Sequence, residues 1–102
     1  MPENHTVLNN KENMRFEIPL EGETAFLEYR FYRGDIAFMH TVVPTGFKGR
    51  GVGTALAEYA FAWAREKNKR VIVFCPFVAG FLQKRPEFKS LLDPEYYGGR
   101  QA

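Results

Sequence analysis

Two spacings of apolar residues divide the chain, a strand-like spacing before Pro44 and a helical spacing after it. In the first part apolar and polar residues alternate, which is typical of strands with one buried face. The alternation predicts a short edge strand around Val7-Leu8 and then strands over residues 14–20, 24–33 and 36–43. Three or four such consecutive strands are expected to form an antiparallel meander.

Residues within these strands predict their faces and turns. One side of the strand 24–33 carries Ala25, Leu27, Tyr29 and Phe31. Pro19 donates no ladder hydrogen bond, so it restricts its strand to a sheet edge or to the strand's end. Gly34-Asp35 is expected to form the following hairpin turn, although the favoured order is Asp-Gly.

After Pro44 the spacing predicts one long amphipathic helix from about Gly51 to Lys67. Its apolar stripe, expected to cover the sheet, comprises Val52, Ala55, Leu56, Tyr59, Ala60, Trp63 and Ala64. Phe61 falls on the polar side, where it is either a packing residue or part of a small contact patch. Four cations lie at the C-terminal end, where a helix dipole favours positive charge: Arg65, Lys67, Lys69 and Arg70.

The rest of the chain predicts one more strand and a second helix. The wholly apolar run Val71 to Phe74 is expected of an interior strand parallel to its neighbour. A shorter helix begins near Phe77, points Phe77, Phe81 and Leu82 inward and ends before Arg85-Pro86. One further turn is predicted around Phe88, Leu91 and Leu92, and an irregular tail from Asp93. The order β-β-β-β-α-β-α predicts an α+β fold with helices on a mostly antiparallel mixed sheet.

Composition and charge narrow the function classes. A chain of 102 residues with 45% hydrophobic content fits one domain and can bury a core without a metal or disulfide. The net charge is only +2 and acids are interleaved, which argues against a dedicated nucleic-acid binder; the basic helix end is interpreted as solvated. The single cysteine, Cys75, excludes an internal disulfide and a Cys-rich zinc site and suits a reducing cytoplasm. Neither a signal peptide nor a membrane span is expected.

The segment Lys48-Gly49-Arg50-Gly51-Val52-Gly53-Thr54 lies between the end of a strand and the start of the main helix. Its glycines let the backbone approach a ligand, and the first helical amides with the helix dipole form an anion site suited to a pyrophosphate. A plain structural turn is the alternative. The spacing matches neither the nucleotide-binding P-loop nor the dinucleotide-binding G-x-G-x-x-G pattern.

The pattern Lys48-x-x-Gly51-x-Gly53 resembles the acyl-CoA motif Arg/Gln-x-x-Gly-x-Gly/Ala of the GNAT N-acetyltransferase superfamily, with Lys48 as a departure. The flanking runs His40-Thr41-Val42-Val43-Pro44 and Cys75-Pro76-Phe77-Val78 are similar to a small, single-domain branch typified by N-acetyltransferase domain-containing protein 1. The resemblance covers residues 7–88 of a single domain, 1–102. Relative to full-length GNAT enzymes the chain lacks much of the N-terminal helical region and the C-terminal strand pair.

This resemblance implies that acetyl-CoA (coenzyme A) is the cofactor. Backbone groups of Val42 and Val43 would pair with the pantetheine arm like another strand. The amides from Gly49 to Thr54 would hold the pyrophosphate, and Lys48 and Arg50 could add positive charge. The shortened acceptor region leaves the acceptor amine unidentified: a small amine, a polyamine or a protein lysine.

Two residues are candidates for the chemistry of acetyl transfer. His40 can act as a general base, or it is a hydrogen-bonded strand histidine. Cys75 can be an acid toward the departing thiolate, a nucleophile, or a small buried core residue. Activation of the thiol by His40 requires both side chains on one face of the sheet. Glu17 and Glu28 are either bases acting through water or solvated carboxylates.

The function predicted from the sequence is therefore acetyl-CoA-dependent N-acetyl transfer. Two alternatives stay open: a non-catalytic acyl-CoA binder or sensor, and a protein-interaction module whose glycine loop binds nothing. No nucleic-acid, membrane or metal partner is expected, and the sequence leaves the oligomeric state open, since exposed sheet edges can pair with another copy.

Overall fold

A computed structural model describes residues 5–94 and has the predicted order of elements. The strands are β1 (Leu8–Asn10), β2 (Arg15–Leu20), β3 (Glu23–Tyr32), β4 (Asp35–Val42) and β5 (Val71–Val73). The helices are α1 (Val52–Glu66) and α2 (Pro76–Lys84), with 3-10 turns over Thr45–Phe47 and Pro86–Leu91. Most of the predicted irregular tail, from residue 95 onward, lies outside the described residues. The α+β class is confirmed.

The strands form one mixed sheet in the order β1-β2-β3-β4-β5. The first four are consecutive and antiparallel, and β5 lies parallel to β4. The hairpin between β3 and β4 turns at Arg33-Gly34, whose φ angles of 52° and 86° are left-handed, so the turn lies one residue before the predicted one. Pro19 lies near the end of β2, beyond the residues paired with β1, so its missing N–H removes no bond to β1.

The prediction that β5 is an interior strand is wrong. It is the last strand of the described sheet, and its outer side meets a single parallel bridge from Val71 to Leu92. Val71 and Ile72 are nevertheless fully buried, and α2 packs against both β4 and β5. An apolar strand therefore reflects covered faces here, and it does not require a strand on each side.

The core lies between one face of the sheet and the two helices. Helix α1 contacts β2, β3 and β4, and α2 with the 3-10 turn 86–91 packs along its flank. Phe61 is fully buried, with ring centroids of Phe38 at 5.2 Å, Phe88 at 5.2 Å and Phe81 at 5.9 Å. Its interpretation as a contact-patch residue is wrong because α1 is covered on two sides. No helix within residues 5–94 is long and apolar enough to span a membrane.

We predict that the Phe61→Ala variant loses about 3–5 kcal/mol of unfolding free energy, because a cavity would open among three aromatic rings. Urea denaturation measures this loss. The matched control is Phe31→Ala, since Phe31 is 48% exposed; its expected loss is below about 1.5 kcal/mol. Phe61→Leu provides a milder second variant, and equal losses for Phe61→Ala and Phe31→Ala would contradict the packing described here.

Candidate functional site

A cleft opens where β4 and β5 stop pairing. The parallel register ends at Phe38 opposite Val73, and the N–H of Phe74 donates the last bond, 2.9 Å long, to the carbonyl of Phe38. The chain after β5 then turns into α2 at Pro76, whereas β4 continues to Val42. A β-bulge in the β3–β4 pairing bends this last part of β4. The β4 backbone beyond Phe38 therefore borders a gap in place of a neighbouring strand.

The gap is part of a cavity of about 570 Å³. Eight of the nine residues predicted to hold a cofactor line it: Val42, Val43, Lys48, Gly49, Gly51, Val52, Gly53 and Thr54. Sequence reasoning missed three lining residues, which are Thr41, Phe47 and Phe77. Thr41 lies in the strand that was already assigned to the site, and Phe47 is a large apolar residue between polar and glycine residues. Both features are weak sequence indications of a site residue.

Arg50 is the predicted cofactor residue that does not line this cavity. Its guanidinium lies 5.3 Å from the ring centroid of Phe47, and its backbone carbonyl accepts a hydrogen bond of 3.1 Å from Nε2 of His5. It borders a neighbouring depression together with His5 and Glu21. The N-terminal segment thereby contacts the glycine loop from the side away from the cavity.

The glycine loop presents the N-terminus of α1 to the cavity. Gly49 and Gly51 have φ angles of 80° and 81°, a left-handed conformation that side chains disfavour. Gly51 is the N-cap residue; no side chain caps the helix, and its first turn contains no acid. The amide of Ala55 bonds to the carbonyl of Gly51, so the amides before it have no partner within the helix. These amides and the positive end of the helix dipole favour an anion.

Gly53 has a different role from the other two loop glycines. A Cβ built on Gly53 would lie 2.7 Å from Cζ of Phe77, so the absent side chain lets the Phe77 ring lie against α1. Phe77 is 45% exposed. The prediction that Phe77 points into the core is therefore wrong; Val78, Phe81 and Leu82 are the buried residues of α2. Phe77 forms a wall of the cavity because it lies in the first turn of α2, beside the glycine loop.

The two candidate chemical residues are not brought together. Cys75 is 3% exposed, and its Sγ is hydrogen-bonded to Oγ1 of Thr41 at 3.3 Å. The side chain of His40 is 69% exposed, with Nε2 3.9 Å from a carboxylate oxygen of Glu28. Successive strand residues point to opposite faces, so Thr41 and His40 lie on different sides of the sheet. The geometry gives no support to activation of the thiol by His40.

The sheet face that carries His40 is polar, and its carboxylates are paired. Glu28 accepts a 2.7 Å ion-pair bond from Arg30, and Glu17 lies 2.9 Å from Arg15. Within residues 5–94 no three His, Cys, Asp or Glu side chains are grouped closely enough to hold a metal ion.

Comparison with known proteins identifies relatives of this chain. The sequence model of a family described as GCN5-related N-acetyl-transferase matches residues 15–91. Protein NATD1 of Bos taurus is 29% identical over 83 residues, covering 78% of this chain and 74% of that protein. Protein NATD1 of Xenopus tropicalis is 25% identical, covering 78% and 76%. The NMR structure of a GCN5-like protein from Staphylococcus aureus superposes with a TM-score of 0.65 at 26% identity, covering 89% of this chain and 90% of its own.

We predict that Gly51→Ala costs about 1–2 kcal/mol of unfolding free energy because the new side chain is strained at positive φ. Gly46→Ala is the matched control, since Gly46 lies in the preceding 3-10 turn with open space around its Cβ position and no positive φ. Its expected change is within about 0.5 kcal/mol. Thermal or urea unfolding of both variants measures the difference, and equal effects would show that the left-handed loop conformation is absent.

Proposed function

Because the chain belongs to the GCN5-related N-acetyltransferase family, we propose that the cleft between β4 and β5 binds acetyl-CoA and that the protein transfers the acetyl group to an amine. One observation carries the cofactor assignment: the uncapped N-terminus of α1, with no acid in its first turn, opens onto the cavity at the glycine loop. A doubly charged pyrophosphate satisfies the free amides and the helix dipole together.

The rest of the cleft fits the remainder of the cofactor. The pantetheine arm lies along β4 in place of a neighbouring strand. It forms hydrogen bonds with the backbone groups of Val42 and Val43. Lys48 adds a positive charge beside the pyrophosphate. Arg50 contributes a backbone amide, while its side chain is turned toward Phe47.

In the proposed reaction the amine nitrogen attacks the thioester carbonyl carbon, and the carbon–sulfur bond breaks to release the CoA thiolate. The thiolate needs a proton, and the amine must lose one. Thr41 lines the cavity and its hydroxyl is hydrogen-bonded to the buried thiol of Cys75, so we propose that this pair delivers the proton to the leaving sulfur. His40, on the opposite face, is the proposed base for an amine approaching from that side.

A second candidate function is an acyl-CoA binder or sensor without turnover. The separation of His40 from Cys75 and the small exposed fraction of Cys75 favour it. A protein-interaction module that binds no nucleotide is the third.

We further propose one acyl-CoA-binding domain over residues 1–102, with a core of about 7–88, acting in the cytoplasm on a small amine, a polyamine or a protein lysine.

A negative charge introduced at Thr54, the third residue of α1, tests the cofactor site. Thr54→Asp places a carboxylate in the first helical turn, where it stabilises the fold by about 0.3–1 kcal/mol but repels a pyrophosphate. We predict roughly tenfold or weaker binding of acetyl-CoA and of free CoA by calorimetric titration. Thr54→Asn, of the same shape without the charge, should bind like the wild type. Equal affinities for the two variants would contradict a phosphate site. If the wild type binds neither ligand, the proposed function is wrong and only the fold assignment remains.

Variants at the two chemical residues test turnover. We predict that Cys75→Ala keeps acetyl-CoA affinity but lowers kcat with an amine acceptor by about 10²-fold or more, because the leaving thiolate loses its proton donor. Cys75→Ser should recover part of the rate, and His40→Gln should lower kcat separately. Intact-mass measurement after incubation with acetyl-CoA tests for an acetyl adduct on Cys75, which would replace direct transfer with a covalent route. Undiminished turnover in Cys75→Ala would remove its proposed role.

A further inference from the structure

A small cavity of about 280 Å³ lies at the C-terminal end of α1, between that helix end and the 3-10 turn 86–91. Its polar lining residues are Arg65, Asn68, Lys69, Arg70 and Ser90. Three of these five are cations, and within residues 5–94 no acid lines the cavity. We call it the basic cavity.

The basic cavity is separate from the proposed acetyl-CoA cleft. Helix α1 has 15 residues, so its two ends lie roughly 20 Å apart at about 1.5 Å per residue. Among the described residues, none lines both the basic cavity and the cavity at the glycine loop. A small ligand in the basic cavity therefore has contacts of its own.

The backbone itself caps the end of α1, so the cationic side chains are not needed as caps. The N–H of Lys69 donates to the carbonyl of Ala64 at 2.9 Å, and the N–H of Asn68 donates to the carbonyl of Arg65 at 3.1 Å. Asn68 has a left-handed φ of 57°, as this Schellman arrangement requires. Because backbone amides bond to these terminal carbonyls, the side-chain donors around the basic cavity are left for another acceptor.

Aromatic rings, and not carboxylates, hold two of the cations. The guanidinium of Arg65 lies 5.1 Å from the ring centroid of Phe88, and Nζ of Lys69 lies 5.2 Å from that of Phe31. Such contacts attract the positive group without occupying it with a hydrogen-bond acceptor. In the described part of the chain no carboxylate lies within ion-pair distance of Arg65, Lys69 or Arg70. An anion in the basic cavity therefore displaces no existing ion pair.

Glu87, an acid of the adjacent 3-10 turn, is already bound by a different cation. Nε of Arg85 donates a 2.6 Å hydrogen bond to its carboxylate. This bond first, and the charge of Arg65 more weakly, hold the pKa of Glu87 below its ordinary value. The three cations of the basic cavity thus repel one another with little compensation, and an anion among them relieves that repulsion.

The donors and the size of the basic cavity suit a phosphate group. Two arginines offer the forked donors that match phosphate oxygens. The hydroxyl of Ser90 makes only a long bond, 3.4 Å, to the carbonyl of Glu87, so it can turn to a stronger acceptor. The volume of about 280 Å³ lies just below the range of about 300–1,000 Å³ for sites of drug-sized ligands, which favours a single anionic group over a nucleotide. A phosphomonoester carries a charge of about −1.5 to −2 near neutral pH and three acceptor oxygens, which is more than a carboxylate offers.

We propose that the basic cavity binds a phosphomonoester, with Arg65, Lys69 and Arg70 paired to its oxygens and Ser90 donating a further hydrogen bond. The site is additional to the proposed acetyl-CoA cleft and does not depend on it. A small phosphorylated molecule and a phosphorylated serine of another protein both present this group. In either case the phosphate joins the end of α1 to the 3-10 turn 86–91.

The test is titration of the protein with inorganic phosphate at constant ionic strength, followed by the NMR shifts of the backbone amides. The amides of Asn68, Arg70 and Ser90 should shift and saturate. Arg70→Gln should weaken the binding roughly tenfold, and Arg70→Lys should recover part of it. Lys67→Gln is the matched control, because Lys67 is exposed at the same helix end but does not line the basic cavity. Equal weakening by Arg70→Gln and Lys67→Gln, or a wild type without saturable shifts, would overturn the proposal.

Phosphate that binds at the glycine loop is recognised by a variant at the other end of α1. Thr54→Asp repels phosphate there and should leave the shifts of Asn68 and Ser90 unchanged. Loss of those shifts in Thr54→Asp would assign them to the acetyl-CoA cleft and overturn the proposal. Arg70→Gln should bind acetyl-CoA like the wild type, so failure of the proposed function and failure of this one are distinguished.

Two further probes separate the sources of the phosphate. Free O-phosphoserine represents a small phosphorylated molecule, and a phosphoserine flanked by two alanines on each side represents a protein. Tighter binding of the peptide supports a protein source, and equal binding supports a small molecule. The same peptide without its phosphate is the control, and equal affinity of the two peptides would overturn the proposal. Ser90→Ala, which changes no charge, should weaken O-phosphoserine binding roughly threefold.

Discussion

The parallel pairing of β4 with β5 ends at Phe38 because the chain after β5 must turn into α2 at Pro76, which has no N–H to continue a ladder. β4 continues to Val42, paired with β3 on one side, so its final residues have no neighbouring strand on the side of β5. Two helix N-termini converge on the same place, since α1 starts after the glycine loop and α2 starts after Cys75. The cavity therefore opens because the pairing stops here, and the two helix N-termini beside it make it favourable to an anion.

Sequence patterns were sufficient wherever structure is decided by neighbours along the chain. The alternation up to Val43 predicts the meander, and the glycine spacing predicts an exposed helix N-terminus, because period and turn chemistry are local properties. Eight cofactor positions could be placed in one cavity for the same reason: they belong to two segments joined by a short loop.

Properties decided by contacts between distant elements could not be predicted. Phe61 occupies a position that looks polar in a one-faced helix and becomes core because α2 covers a second side. Phe77 lies against Gly53, and the sequence of neither segment predicts this contact. The pairing of Cys75 with Thr41 depends on how α2 is seated over β4, and β-strand alternation then places His40 on the other face.

The β4–β5 pairing also has a consequence for the order in which the molecule assembles. The hairpins of β1 to β4 join residues close in sequence, whereas Ile36 pairs with Val71 across thirty-five positions and the shared ladder is three residues long. Closing such a long loop for a short ladder carries an entropic cost that the hairpins do not bear. We therefore expect the β4–β5 pairing to form late in folding, and a molecule that bridges β4 and α2 to hold the chain's two halves in register.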